Sequence, residues 1–119
     1  MNLESYYEYC LSKKGVTEHF PFDDDALVFK VGGKIFALTS LQKWELGIPS
    51  VNLKCDPDRA QELRAEYESI NSGFHMNKKH WNTVVLNQEV HDALIKELID
   101  HSYELVWSSL TRKTREEIM

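Results

Sequence analysis

The sequence predicts an α+β domain: an antiparallel β-sheet with helices packed on one face. Three observations lead there. Helical periodicity opens and closes the chain, a glycine-centred hairpin signal lies between, and the order helix, three strands, helix, one or two strands, helix is that of an α+β layer rather than a βαβ repeat. With 119 residues, 42% of them hydrophobic, the chain suits one domain over residues 1 to 119.

Asn2 is placed to cap a first helix over residues 3 to 13, whose Leu3, Tyr6, Tyr7, Cys10 and Leu11 recur at three- and four-residue spacing, with Gly15 just past its end. "TEHFPFDDD" mixes proline, charge and two phenylalanines, which predicts a surface loop with its rings tucked onto the core. "ALVFKV", "GG" and "KIFALT" predict a hairpin, since two glycines accept the positive φ of a tight turn. Two-residue closure would pair Val31 with Lys34, Phe29 with Phe36 and Leu27 with Leu38. In "SVNLKC", Val51, Leu53 and Cys55 alternate with Asn52 and Lys54, the period of a half-buried strand. Asp56 followed by Pro57 starts a second helix carrying Ala60, Leu63, Ala65 and Tyr67. "HWNTVVLN" supplies a strand over 81 to 86, preceded by an extended piece at 74 to 77. The longest helix is expected from Gln88 to Leu110, with Val90, Leu94, Leu98, Leu105 and Val106 inside and Ile95 and Ile99 widening the stripe. "TRKTREEI" is a polar helical tail.

Sheets of this kind commonly leave their second face to solvent. Asp and Glu outnumber Lys and Arg by 19 to 14, yet the charge is not evenly spread. Residues 26 to 55 and 69 to 88 hold Lys30, Lys34, Lys43, Lys54, Lys78 and Lys79 against Glu45 alone, so the mostly helical remainder carries the acidity. Within "GFHMNKKHWNTVVL" an extended backbone would project His75, Asn77, Lys79, Trp81 and Thr83 on one side, with Lys78 and His80 beside them. Lysines that meet phosphates and rings that stack on bases make a nucleic-acid surface. The same residue types also serve plainer ends, a strand Trp packing an edge and paired lysines solvating a turn.

"YCLSKKG", "VFKVGGKIFAL", "VNLKCDPDRAQELR", "HMNKKHWNTVVL" and "DHSYELVWSSL" together resemble the MmcQ/YjbR family, small bacterial proteins that carry a DNA-binding label, from Tyr9 to Leu110. The resemblance implies an α+β fold with an antiparallel sheet and helical packing, described as a double-wing arrangement and related to secretion chaperones and the frataxin-like group. One departure stands out. Where members tend to carry a proline after the long helix's final leucine, this chain has Thr111, so its tail is free to dock differently.

Enzyme readings find little support, and the chain is expected to be non-catalytic. Neither Cys10 nor Cys55 lies in a nucleophile motif, GxSxG is absent, and "VGGKI" is too short to cradle a phosphate. The cysteines lack zinc spacing and are expected to be buried thiols. His75 and His80 would face opposite sides of a strand without a third ligand, and His101 reads as a packed or partly exposed histidine. Asp23, Asp24 and Asp25 read as a solvated cluster. No cofactor or metal is expected. No apolar run approaches the ~20 residues of a membrane span and the first residues lack a signal-peptide pattern, so a cytoplasmic protein is expected. Two functions follow: DNA binding centred on Lys78, Lys79, His80 and Trp81, with His75 and Asn77 nearby and Lys30, Lys34, Lys43 and Lys54 as phosphate contacts, or a chaperone-like domain that receives a protein or peptide partner by sheet-edge pairing. Oligomeric state is open.

Overall fold

The computed structural model describes residues 1–73 and 76–119. Its elements run α1 (Leu3–Leu11), β1 (Val16–His19), β2 (Ala26–Val31), β3 (Lys34–Ser40), α2 (Leu41–Glu45), β4 (Ser50–Lys54), α3 (Pro57–Glu66), β5 (Ile70–Ser72), β6 (Trp81–Val85), α4 (Asp92–Ser109) and α5 (Arg112–Ile118). The described strands form one antiparallel sheet in the order β1-β2-β3-β4-β6-β5. As the sequence predicts, this is an α+β fold with the helical core on one face. The row Leu27, Thr39, Val51, Val84, Ile70 and the row Phe29, Ala37, Leu53 meet Ile95, Leu98, Ile99, Tyr103 and Val106 of α4.

Local chemistry sets the helix ends. The Asn2 side chain accepts from the Ser5 amide and the Ser5 hydroxyl accepts from the Asn2 amide, a reciprocal cap. Asp56 caps α3 ahead of Pro57, whose missing N–H costs nothing in the first turn. Thr111, the residue that stands in place of the expected proline, caps α5 through the Thr114 amide. The tail then lies back on the hairpin end: a Cβ on Gly32 would come within 2.7 Å of Leu110, and one on Gly15 within 2.4 Å of Ile118. Both glycines also sit at positive φ, so the tail's docking and the turns demand the same residue.

Several expectations need correction. Val31 does pair with Lys34, but Phe29 pairs with Ala37 and Leu27 with Thr39, because a bulge makes Phe36 an extra residue in β3. Phe36 keeps the helix face, which it now shares with Ala37, and packs edge-on against Tyr103 at 5.5 Å and tilted against Phe29 at 6.4 Å. The bulge's cost to the β3–β4 ladder is met from outside the sheet. The buried Ser102 hydroxyl accepts from the Lys54 amide and donates to the Phe36 carbonyl, so a helix side chain stands in for a ladder bond.

"TEH" is not loop but part of edge strand β1, paired with β2, and the rings of Phe20 and Phe22 beyond it are exposed rather than tucked in. Its outer residues are mostly polar, which hides the strand from periodicity. Helix α4 starts at Asp92, not Gln88, and Leu94 and Leu105 are half-buried, since its inward stripe centres on Ile95, Ile99, Ser102 and Val106. The short α2 and β5 carry too few residues to show a period. Cys10 and Cys55 are buried thiols, as expected.

His101 reports on this packing. Its Nε2 accepts from the Asp56 amide at the start of α3, and burial, with the nearby Arg59 charge, holds its pKa below the usual value. A depressed histidine pKa favours the neutral form in the fold, so the bond's contribution is present above about pH 6.5 and is lost as pH falls through the folded-state pKa. Thermal unfolding followed from pH 7.5 to 5 is expected to show a decline that His101→Gln removes in part. Identical pH profiles for both proteins would contradict the assignment.

Candidate nucleic-acid interface

Strand alternation places a second set of side chains on the sheet face opposite α4. Reading across the registers, these are Thr17, His19, Lys30, Val28, Leu38, Asn52, Lys54, Trp81 and Thr83. Val28 is fully buried yet stands outside the main core cluster, which agrees with this placement. Among the described residues no helix packs on this face. Two loops border it instead, one at 20–25 between β1 and β2 and one leading through Met76 to β6.

Between the loops lies a cleft of about 610 Å³. Its floor is built of small or polar residues, Ala26, Ser40, Ser50, Asn52 and Thr83, with Leu38 beside them, and Phe22 and Met76 stand as walls. Thr83 donates to the Asn52 side chain at 2.6 Å, so the polar pair is fixed rather than mobile. The first loop is fixed as well. Asp25 accepts from the Ser40 hydroxyl at 2.5 Å and the Gln42 amide at 2.7 Å, bonds that hold its carboxyl below the usual carboxylate range. Asp23 accepts from the amides of Asp25 and Ala26, so two of the three clustered acids shape the loop.

The lysines divide unevenly. Lys30 and Lys54 rise from β2 and β4 on the helix-free face, about 10 Å apart by strand spacing, and Lys43 on α2 lines the cleft. Lys54 lies directly across from Trp81, and both are half-buried. Lys78 and Lys79 are exposed in the turn before β6. Lys34 departs from the set: it reaches to the opposite side, donating to the Ser109 carbonyl and hydroxyl at the end of α4. Most of the acidic residues of α1, α3, α4 and α5 belong to the helical layer.

Within "GFHMNKKHWNTVVL", residues 77–80 are not extended. The Asn77 carbonyl accepts from the amides of His80 and Trp81, and its side chain accepts from the Lys79 amide, which makes residues 77–80 a closed turn. Asn77 and Lys79 therefore do not alternate with Trp81, although Trp81 and Thr83 do share a face. The physical reason lies in α3. Arg64 donates to the Asn82 side chain at 2.6 Å and to the Trp81 and Lys78 carbonyls, tying the turn to the helical layer. His80 is half-buried, its carbonyl accepting from the Cys55 amide at 2.7 Å. His75 lies outside the described residues. Among those described, no group of three His, Cys, Asp or Glu could hold a metal ion, and no helix is long and apolar enough to cross a membrane.

Sequence reasoning missed the cleft. Phe22, Ala26, Leu38 and Met76 come from three separate stretches and meet only through the fold. Asn52 and Thr83 offered a signal, as polar residues set between or beside valines and leucine in two strands.

Comparison with known proteins adds the following. The family model described as YjbR matches residues 11–105. The chain is 40% identical over 99 residues to the uncharacterized protein YbdF of Escherichia coli O157:H7, covering 83% of this chain and 79% of that one. It is 31% identical over 115 residues to the uncharacterized protein YjbR of Escherichia coli K12, covering 97% and 95%. The crystal structure of Deinococcus radiodurans protein DR2400, described by the domain name DUF419, superposes with a TM-score of 0.91 at 38% identity, covering 98% of this chain and 87% of that one. A crystal structure from Pseudomonas syringae gives 0.75 at 28% identity, covering 89% and 99%.

Proposed function

The chain belongs to the YjbR family, and from that premise we propose that it is a non-catalytic module that binds nucleic acid through the helix-free face of its sheet. One observation carries the reading. Lys30, Lys43 and Lys54 stand on or beside one face, with Lys78 and Lys79 on the turn that borders it, around a cleft of mixed polarity and a tryptophan, while the acidic helices lie behind the sheet. A net charge of minus 5 would repel a polyanion at long range if it were uniform, but most acidic side chains lie in the helices behind the sheet, and the five lysines on or beside this face outnumber Asp23, Asp24 and Asp25 of the bordering loop. The concave, loop-bordered surface suits a single strand better than a duplex, whose convex backbone would meet the rims first. DNA is the substrate proposed. Trp81, half-buried beside Lys54, is the ring proposed to stack on a base while the lysine meets a neighbouring phosphate.

The placement of Lys34 supplies an internal control. Affinity for a short single strand should fall with salt, and Lys78→Ala with Lys79→Ala is expected to flatten the slope by about 1.4 units, at roughly 0.7 per phosphate contact. Lys34→Ala removes an equal kind of charge from the other side and should leave the slope unchanged. A slope that responds to Lys34 as strongly as to the turn lysines would mean that only net charge matters.

A second reading rests on β1, which is an edge strand of four residues with Phe20 exposed just beyond it. A peptide could extend the sheet there. Such binding would depend on backbone pairing at β1 and would not follow the lysines of the helix-free face.

A further inference from the structure

We propose that the cleft between the two loops receives one unpaired nucleobase, so that the protein selects strands with exposed bases; this rests on the nucleic-acid reading above and gives it a specific contact. The cleft's volume, about 610 Å³, falls among pockets that hold small organic ligands and leaves room for a base with its sugar. Its shape suits a flat ring. Ala26, Ser40 and Ser50 keep the floor low, while Phe22 and Met76 approach from opposite loops to cover two sides. The Phe22 ring is 69% exposed, an aromatic face that folding leaves unused, on a loop that Asp25 and Asp23 hold rigid. The floor is polar, lined by the Ser40 and Ser50 hydroxyls and the Asn52–Thr83 pair, a surrounding that suits the polar edge of a base better than an aliphatic side chain.

Charge fixes the orientation. Asp23 at the Phe22 end disfavours phosphate, whereas Lys54 lies on the same strand two residues beyond Asn52, about 7 Å along the sheet. A base in the cleft therefore sends its backbone toward Lys54 and Lys30. Lys43 at the rim is left to meet the phosphate on the other side.

The test compares a short oligothymidine with an abasic sugar–phosphate strand of equal length and charge, by fluorescence anisotropy at several salt concentrations. Wild type is expected to bind the thymidine strand about 5- to 150-fold more tightly, the range of one stacked base. Phe22→Ala, a change at an exposed ring, and Ala26→Leu, which raises the floor, should each erase most of that preference while the salt slope stays at the wild-type value. Retention of the preference in both variants, with its loss in Trp81→Ala, would place the base on Trp81 and overturn the cleft proposal. Equal affinity for both strands, with an intact salt slope, would overturn it too while leaving the lysine face in place. Absence of binding to either strand would sink both readings.

Discussion

Phe36→Ala is expected to lower the unfolding free energy by about 3 to 5 kcal/mol, the usual cost of truncating a buried aromatic residue. The side chain is fully buried and touches rings from the sheet and from α4, so its loss opens a cavity where the two layers meet. Against a typical total of about 5 to 15 kcal/mol, that leaves a domain close to unfolding at physiological temperature. Ile35, its neighbour, points to the other face and is only half-buried, so Ile35→Ala should cost less. Urea midpoints compared at constant m-value would check the pair. Equal losses would argue against placing the two side chains on opposite faces of the sheet.

The largest functional effect should come from removing the basic face as a unit. Changing Lys30, Lys43, Lys54, Lys78 and Lys79 to glutamine removes five candidate phosphate contacts, or about 3.5 units of salt slope for a single strand. Between 50 and 200 mM salt the wild-type affinity should then fall about 100-fold further than the variant's. Since these side chains lie outside the hydrophobic core, unfolding midpoints should move little, and circular dichroism on the same samples would establish that. A variant that binds as tightly as wild type, with the same slope, would remove the lysines from any account of function.

Much of the fold was legible because its signals are local. Asn2, Asp56 with Pro57, and the paired glycines each announce a cap or turn by chemistry that acts within four residues. The bulge at Phe36 was not legible, since nothing in "KIFALT" says that Ser102, 66 residues away, will complete the ladder. Nor was the turn at Asn77, whose "NKKHW" reads as a basic strand until Arg64 of α3 gathers its carbonyls. The lysine set was visible as a sum over segments. Its division followed from the turn, since pairing Val31 with Lys34 puts Lys34 on the face opposite Lys30, but the Ser109 groups that Lys34 reaches lie 75 residues away and give no local signal. The bulge shifts only the pairs beyond it, from Phe29 with Ala37 onward.

The central claim is that the helix-free face is the binding surface, and residue-resolved amide shifts during titration with a short single strand test it most directly. The expected result is a continuous set of shifts at Lys30, Leu38, Asn52, Lys54, Trp81 and Thr83, with the amides of α4 from Glu104 to Ser109 undisturbed. Shifts confined to α4 and α5, or to β1 alone, would contradict it.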